Sequence, residues 1–298
     1  MPHHPVIAIS GVTGFIGSGL PALLKARGAS LLGISRAGSG NFPEIDDWQK
    51  PDALDLRRVD AIVNLAGERI DRRWTRKNRR RFFESRVTHT RRLVSHLASL
   101  PVDVRPRVLI QGSATGYYGD GGDTLLPETA PPGTGYLAEL CRDWENAASE
   151  AKTLGLRVVT LRTGIVIGRG GPAFEKLTTV FRLGLGGKLG SGRQWMPWIH
   201  LEDLRRAIVH AVFTDALEGP VNGTAPTPER NIDFTRKLAA ALHRPALFTV
   251  PPVALKLALG KFASALLGGQ HAPPLALERS GFHFQHPTLE AALENLLA

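Results

Sequence analysis

An apolar run, Val6-Ile7-Ala8-Ile9-Ser10, leads directly into Gly11-Val12-Thr13-Gly14-Phe15-Ile16-Gly17 and then into SGLPALLKARG, whose apolar residues recur at helical spacing. A buried strand that turns into a helix within so few residues needs backbone freedom and close packing, and glycine supplies both. The G-x-x-G-x-x-G spacing distributes three tasks. One glycine permits the tight turn, another lets backbone N–H groups approach a pyrophosphate, and the last allows the helix to lie close on the strand. The helix start then faces that ligand with the positive end of its dipole. Gly11, Gly14 and Gly17, with Thr13, Phe15 and Ile16 between them, are candidate dinucleotide-binding residues.

The same alternation continues along the chain. SLLGISR reads as a second strand and DAIVNLAGE as a third buried strand ending in a turn. A long basic helix is predicted over roughly 73–99, with Phe83, Val87, Thr90, Val94 and Leu97 on one stripe. RVLIQGSATGYYG, the helix YLAELCRDWENAASEAKTLG stopped by Gly155, and the strand RVVTLRTGIVIG follow. Strands alternating with helices predict an α/β fold, a Rossmann-type doubly wound parallel sheet over residues 1–168. Residues 169–298 then form a smaller C-terminal substrate-side lobe, with an extension from about 250.

Which dinucleotide binds is read at the end of the second strand. A free ribose 2′-hydroxyl calls for Asp or Glu there, whereas a 2′-phosphate calls for Arg. Here the strand ends Ile34-Ser35-Arg36, with no acid until Glu44, which favours NADP(H) over NAD. Arg36 can fork onto a phosphate and Ser35 can donate a hydroxyl hydrogen bond. The turn Asn64-Leu65-Ala66-Gly67 ends another strand and is small enough for close ligand approach. Arg162, Thr163 and Gly164 also end a strand, at the sheet edge where open α/β folds bind ligands.

Charge and composition narrow the function classes. Between Arg69 and Arg92 lie eleven basic and two acidic residues, which account for +9 of the chain's net +10. A solvated helix face or attraction of an anionic cofactor explains that window, and no nucleic-acid-binding module accompanies it. The single Cys141 excludes an intrachain disulfide framework and a multi-cysteine zinc site. His3 and His4 are terminal, no metal-ligand spacing appears, and no G-x-S-x-G elbow follows a strand. PPVALKLALGKFASALLGG is interrupted by Lys256, Gly260 and Lys261, so it reads as an amphipathic helix packed on the body and not as a membrane contact. The start of the chain lacks a signal-type segment, and a cytoplasmic location is the expectation. A homo-oligomer is compatible with all of this.

GVTGFIG, VNLAG, SATGYYG, LRTGIVIG and QWMPWIHLEDLRRAI occur in the order of an extended short-chain dehydrogenase/reductase. NLAGERIDRRWTRKNRRRFFESRV, YLAELCRDWE, GSGRQWMPWIHLEDL and the ending SGFHFQHPTLEAAL resemble blocks of its atypical epimerase family subgroup, whose members share no agreed substrate. The resemblance spans essentially the whole chain. It implies a Rossmann fold binding NADP(H), with a C-terminal lobe closing over the nicotinamide. In active members of the wider superfamily a Tyr-x-x-x-Lys pair carries the chemistry, but Tyr117, Tyr118 and Tyr136 are followed at the fourth residue by Gly121, Gly122 and Leu140. Tyr136 nevertheless stands at the expected helix start and is the candidate proton donor. Ser113, in competition with Thr115, is the candidate for polarising a carbonyl. Arg193, Gln194, Trp195, Trp198 and His200 form a polar-aromatic cluster suited either to a planar substrate or to anchoring a strand. The expected activity is hydride transfer on a small carbonyl or alcohol. The rivals are a non-catalytic NADP(H) sensor or scaffold and a sugar-nucleotide epimerase or dehydratase.

Overall fold

The structure is a computed structural model that describes residues 4–298, so His3 lies outside the described residues. In chain order its strands are β1 (Val6–Ser10), β2 (Ser30–Ile34), β3 (Asp47–Gln49), β4 (Ala61–Asn64), β5 (Val108–Ala114), β6 (Arg157–Thr163), β7 (Ile165–Ile167), β8 (Gly187–Leu189), β9 (Trp195–Met196), β10 (Trp198–His200), β11 (Gly219–Gly223), β12 (Glu229–Arg230) and β13 (Phe248–Val250). The helices are α1 (Leu20–Lys25), α2 (Arg76–Phe83), α3 (His89–Ser99), α4 (Tyr136–Ser149), α5 (Pro172–Arg182), α6 (Leu201–Phe213), α7 (Asn231–Ala241), α8 (Pro252–Leu259), α9 (Ala263–Leu267), α10 (Leu275–Arg279) and α11 (Leu289–Leu297).

The central sheet runs β11-β6-β5-β4-β1-β2-β3 and every pairing in it is parallel. Its inner strands β1, β4 and β5 are largely apolar runs because both faces are covered, and alternate residues serve opposite layers. Ile7, Ile9, Val63, Ile110 and Val159 pack with Leu204, Ala207 and Ile208 of α6. Ala8, Ile62, Leu109 and Val158 face the other way, onto Leu93, Val94 and Leu97 of α3 and Ala148 of α4. The predicted doubly wound sheet is therefore present. It does not close at residue 168, however, because α6 covers one face and β11 extends the edge beside β6. Leu204, Ala207, Ile208 and Val221 are fully apolar core residues, and the layer around β6 would stand open without them.

The basic helix starts at Arg76, where the Thr75 side chain accepts the Asn78 N–H. Between α2 and α3 the backbone makes one π turn over Glu84–Thr88. This corrects the expected stripe. Phe82, five residues before Val87, is completely buried, while Phe83 is only half-buried. A straight α-helix would place residues five apart on different faces, and the wider turn brings them onto one. The segment around α8 also departs from expectation. It buries none of its residues, and Val253 and Leu257 are 67% and 74% exposed. Its apolar side chains surround the helix instead of forming a stripe, so it has no single face to dock. Among the described residues no helix is long and apolar enough to cross a membrane.

A second core, built from Phe174, Phe181, Trp198, Phe234, Leu238, Leu289 and Leu293, fills the C-terminal lobe. His200 connects it to the sheet layer: its Nδ1 accepts the Glu202 N–H at 3.2 Å and caps α6. Burial first, and then the His286 ring at a centroid distance of 3.9 Å, push the His200 pKa down to about 4. The folded chain thus keeps His200 neutral, whereas an unfolded chain protonates it near its ordinary value of about 6.5. That stabilisation is complete above the unfolded value and is lost as pH falls through about 4. Urea titrations at about pH 7.5 and about pH 4.5 are expected to show wild type losing about 2 kcal/mol more than His200→Asn, which cannot titrate. Equal losses would mean that the folded ring already carries the proton.

Candidate active site

The chain leaves β1 toward β2 and β3 and returns to β4 on the other side, so the crevice of the sheet opens between the carboxyl ends of β1 and β4. Gly11 turns there with φ +83°, and a Cβ on it would lie 2.8 Å from the Leu65 carbonyl carbon. A Cβ on Gly17 would lie 2.3 Å from the Gly11 oxygen. The first glycine thus lets two strand-end turns pass, and the third lets the helical segment close onto the turn. Gly14 and Thr13 are exposed at the tip. The Gly14 N–H closes the turn onto the Gly11 carbonyl at 3.0 Å, while among the described residues the N–H groups of Phe15 and Ile16 make no backbone hydrogen bond. This is a cradle for an anion. Ile16 lines the cavity described below, and the Phe15 ring packs instead against Gly168 and Gly171.

Arg205 of α6 holds this cradle from behind. Its guanidinium donates to the Phe15 carbonyl at 2.7 Å, the Ile16 carbonyl at 2.9 Å and Ser18 Oγ at 3.1 Å. A Cβ on Gly19 would collide with that guanidinium at 2.4 Å, so Gly19 is the space that admits it. At the end of β2, Ser35 Oγ donates to the Ser39 carbonyl at 2.8 Å and closes the 35–39 turn. Trp48 wedges under this turn, 2.6 Å from where a Gly33 Cβ would be. Arg36 projects from the turn into solvent and has no partner among the described residues.

The Asn64 side chain is turned inward. Its Nδ2 donates to Thr90 Oγ1 at 3.1 Å and Gln111 Oε1 at 2.9 Å. Asn64 therefore offers a ligand only its main chain, while Leu65 reaches the cavity. Gly67 faces Arg86, whose guanidinium carbon would lie 3.0 Å from a Cβ there. Burial pushes the Arg86 pKa down, and no carboxylate pairs with it among the described residues. A half-buried cation with no carboxylate partner beside the β4 turn is suited to a cofactor phosphate.

A cavity of about 560 Å³ opens beyond the ends of β5 and β6. Ser113, Thr115, Tyr136, Thr163, Gly164 and Trp195 are on its wall, as is Cys141, whose thiol burial pushes up to about 12. Ser113 Oγ donates to Glu145 Oε1 at 2.6 Å. Glu145 also receives Arg162 through two parallel bonds of 2.9 Å. The remaining Arg162 nitrogen donates to the Tyr118 hydroxyl at 2.9 Å and the Glu128 carbonyl at 3.0 Å. Only 3% exposed, Arg162 is thus committed to the interior and its side chain does not reach a cofactor, contrary to the sequence expectation. Burial opposes its charge, but Glu145 more than compensates and raises its pKa. Tyr118 is pushed up to about 12 by burial against the opposing pull of Arg162.

Tyr136 begins α4 immediately after Gly135, whose φ of +97° turns the chain into the helix. Its phenol donates to the Arg79 carbonyl at 3.2 Å, and the Arg79 guanidinium lies 4.3 Å above its ring. Burial raises the Tyr136 pKa, opposed by Arg79 and Arg86. Trp74 meets its ring edge-on at 5.1 Å, and Phe262 from the extension meets Trp74 at 5.9 Å. The polar-aromatic cluster divides: Trp195 lines the cavity and stacks on His271, whereas Trp198 and His200 are buried in the fold. Sequence reasoning missed Arg205, Arg86 and Glu145. For Glu145 a signal existed, a carboxylate on the helix stripe Ala138-Cys141-Ala148, where burial demands a cation.

Comparison with known proteins identifies the family. Residues 7–222 match the NAD dependent epimerase/dehydratase family, and residues 250–296 match a domain of unknown function, DUF1731. An epimerase family protein of Mycobacterium bovis is 43% identical over 296 residues, covering 97% of each chain. The crystal structure of human epimerase family protein SDR39U1 with NADPH superposes with a TM-score of 0.88 at 33% identity, covering 98% of this chain and 99% of that one. A nucleoside-diphosphate sugar epimerase from Corynebacterium glutamicum gives 0.80 at 30% identity, covering 99% of this chain and 58% of that one. The chain belongs to the NAD dependent epimerase/dehydratase family, in the atypical epimerase family branch that carries the DUF1731 extension.

Proposed function

We propose that the chain binds NADP(H) and transfers hydride to or from a small carbonyl or alcohol substrate. One observation carries this reading: Ile16 of the Gly11–Gly17 cradle, Leu65 of the β4 turn, Ser113 and Tyr136 line a single cavity. The unpartnered Arg36 guanidinium at the end of β2 and the NADPH in the human relative support the phosphorylated cofactor. When bound, the dinucleotide supplies or accepts the hydride.

The chain's own residues hold and orient. Arg205 fixes the cradle carbonyls away from the phosphates, and Arg86 offers positive charge beside Gly67. An ordinary phenol is protonated at neutral pH and burial raises the Tyr136 pKa further, so it is a donor and not a base. To polarise a carbonyl its phenol exchanges the Arg79 oxygen for the substrate oxygen. Ser113 donates its hydroxyl hydrogen bond to Glu145, which leaves its oxygen lone pairs to accept from an alcohol hydroxyl. A cofactor-binding protein without turnover is the second reading. It is favoured by Leu140 in the position of the superfamily lysine and by the phenol's bond to Arg79.

Calorimetric titration is expected to show NADPH bound in preference to NADH, with Arg36→Ala removing about tenfold or more of that preference. Equal binding of both by wild type would remove Arg36 from the site. Tyr136→Phe is expected to lower turnover about 100-fold while leaving NADPH affinity unchanged, since only the proton donor is lost. Full activity in that variant would assign the proton to another group, and no turnover by wild type on any carbonyl favours the second reading. Glu145→Ala strands the Arg162 cation and is expected to destabilise the fold by about 3–5 kcal/mol in urea titration. A loss below about 1 kcal/mol would show that the pair is not desolvated.

A further inference from the structure

The class of substrate follows from what the cavity wall leaves facing inward, and it rests on the oxidoreductase reading above. Away from the cofactor turns the wall is Ile70, Trp74, Leu137, Met196, Phe262 and Leu266. The polar side chains beside them already spend hydrogen bonds on neighbouring backbone groups, although Ser264 and Asp120 are exposed. Trp74 Nε1 donates to the Ile70 carbonyl at 3.1 Å, and Ser264 Oγ to the Lys261 carbonyl at 2.8 Å. Gln270 Nε2 donates to the Gly119 carbonyl at 2.6 Å, and Asn231 Oδ1 accepts the Leu189 N–H at 2.7 Å. Asp120 Oδ1 accepts the Gly269 N–H at 3.0 Å.

Charge completes the argument. Arg86 is the single Lys or Arg on the wall, and it lies against Gly67 on the cofactor side. Arg230, outside the wall, is paired with Asp123 at 2.8 Å. A sugar nucleotide brings a doubly charged pyrophosphate, which has to meet cations or free donors when it leaves water. Among the described residues the substrate half offers it no cation, and the exposed Asp120 carboxylate adds a like charge. Trp74, with Tyr136 and Phe262 packed edge-on against it, instead presents an apolar wall.

We propose that the second substrate is an uncharged, predominantly apolar aldehyde or ketone, with an aromatic or alkyl body lying against the wall of Trp74, Phe262 and Leu266, and not a sugar nucleotide. In the reducing direction hydride from NADPH adds to the carbonyl carbon and the C=O π bond breaks onto oxygen. That oxygen takes one proton, leaving an alcohol and NADP⁺; the carbonyl is reduced and the cofactor oxidised.

The full-length protein with NADPH is assayed against 1-indanone and nonanal, against glyceraldehyde, and against UDP-glucose. Cofactor absorbance follows turnover, and calorimetry on the NADPH-loaded protein follows binding. The apolar carbonyls are expected to be reduced with kcat/KM about tenfold or more above glyceraldehyde. Phe262→Ala is expected to raise their KM about tenfold with kcat little changed, and UDP-glucose to give neither heat nor turnover. Faster turnover of glyceraldehyde, or saturable binding of UDP-glucose, overturns the substrate class while NADPH-linked redox activity stands. If nothing is turned over but the apolar carbonyls bind saturably and Phe262→Ala weakens them, the substrate class stands and the oxidoreductase reading falls. Absence of both turnover and saturable binding for the apolar probes overturns the inference.

Discussion

Two turns of backbone meet at the middle of the sheet with no room for a side chain between them. Gly11 lies against the Leu65–Ala66 peptide, and Gly17 lies against the Gly11 carbonyl. Every functional feature depends on that closeness. It sets the cradle beside the β4 turn, so one extended dinucleotide can touch both. It also brings the Phe15 and Ile16 carbonyls to the edge of α6, where Arg205 gathers them. Orienting carbonyls toward a cation turns the peptide N–H groups the other way, which is how an uncharged loop becomes an anion site. Because Arg205 comes from beyond residue 200, the cradle is a product of both halves of the chain.

The buried Glu145–Arg162 pair is the second constraint. Two charges removed from water are stabilised only when the remaining lone pairs and protons are satisfied. Ser113, Tyr118 and the Glu128 carbonyl complete that set. Tyr118 continues the chain of bonds to Asn222 on β11 at 2.7 Å. The network therefore ties β5, β6, α4 and β11 together directly beneath the cavity floor. It has a chemical consequence as well, because the Ser113 hydroxyl already donates its hydrogen bond to the carboxylate. A serine so engaged has no second hydroxyl hydrogen for a substrate carbonyl.

Most of the fold was legible because parallel strands buried on both faces read as unbroken apolar runs, and glycines mark their turns. β1, β2, β4, β5 and β6 all announce themselves this way. β11 did not: GPVNG is short, carries Pro220 and a buried Asn222, and owes its place to pairing with β6. Phe82 and Phe83 are adjacent, so periodicity alone could not choose between them, and a π turn decided it. The recognition of Arg162 as a strand-end arginine was sound, but its partner stands on a helix 17 residues earlier, beyond any local pattern. The glycine cradle and Arg36 needed only local spacing. The cavity wall needed Trp74, Tyr136 and Phe262 brought together from three distant segments, and no local signal encodes that.

The basic segment shows how a one-dimensional charge count misleads about where charge acts. Of its arginines, Arg69, Arg72 and Arg80 are paired with Asp71, Glu68 and Glu84 at the surface, where such contacts contribute little. Arg73 donates to the Leu257 carbonyl at 3.1 Å and so joins this helix to the exposed α8. Arg79 lies over the Tyr136 ring, and Arg86 stands in the cavity beside Gly67. Arg86 is itself part of the π turn, which follows α2 and changes the angle between its face and that of Arg79. Without the extra residue in that turn, Phe82 and Val87 could not share the buried face while Arg86 reaches the cofactor turn. A distortion of one helix thus couples a core contact to the position of the one cation inside the site.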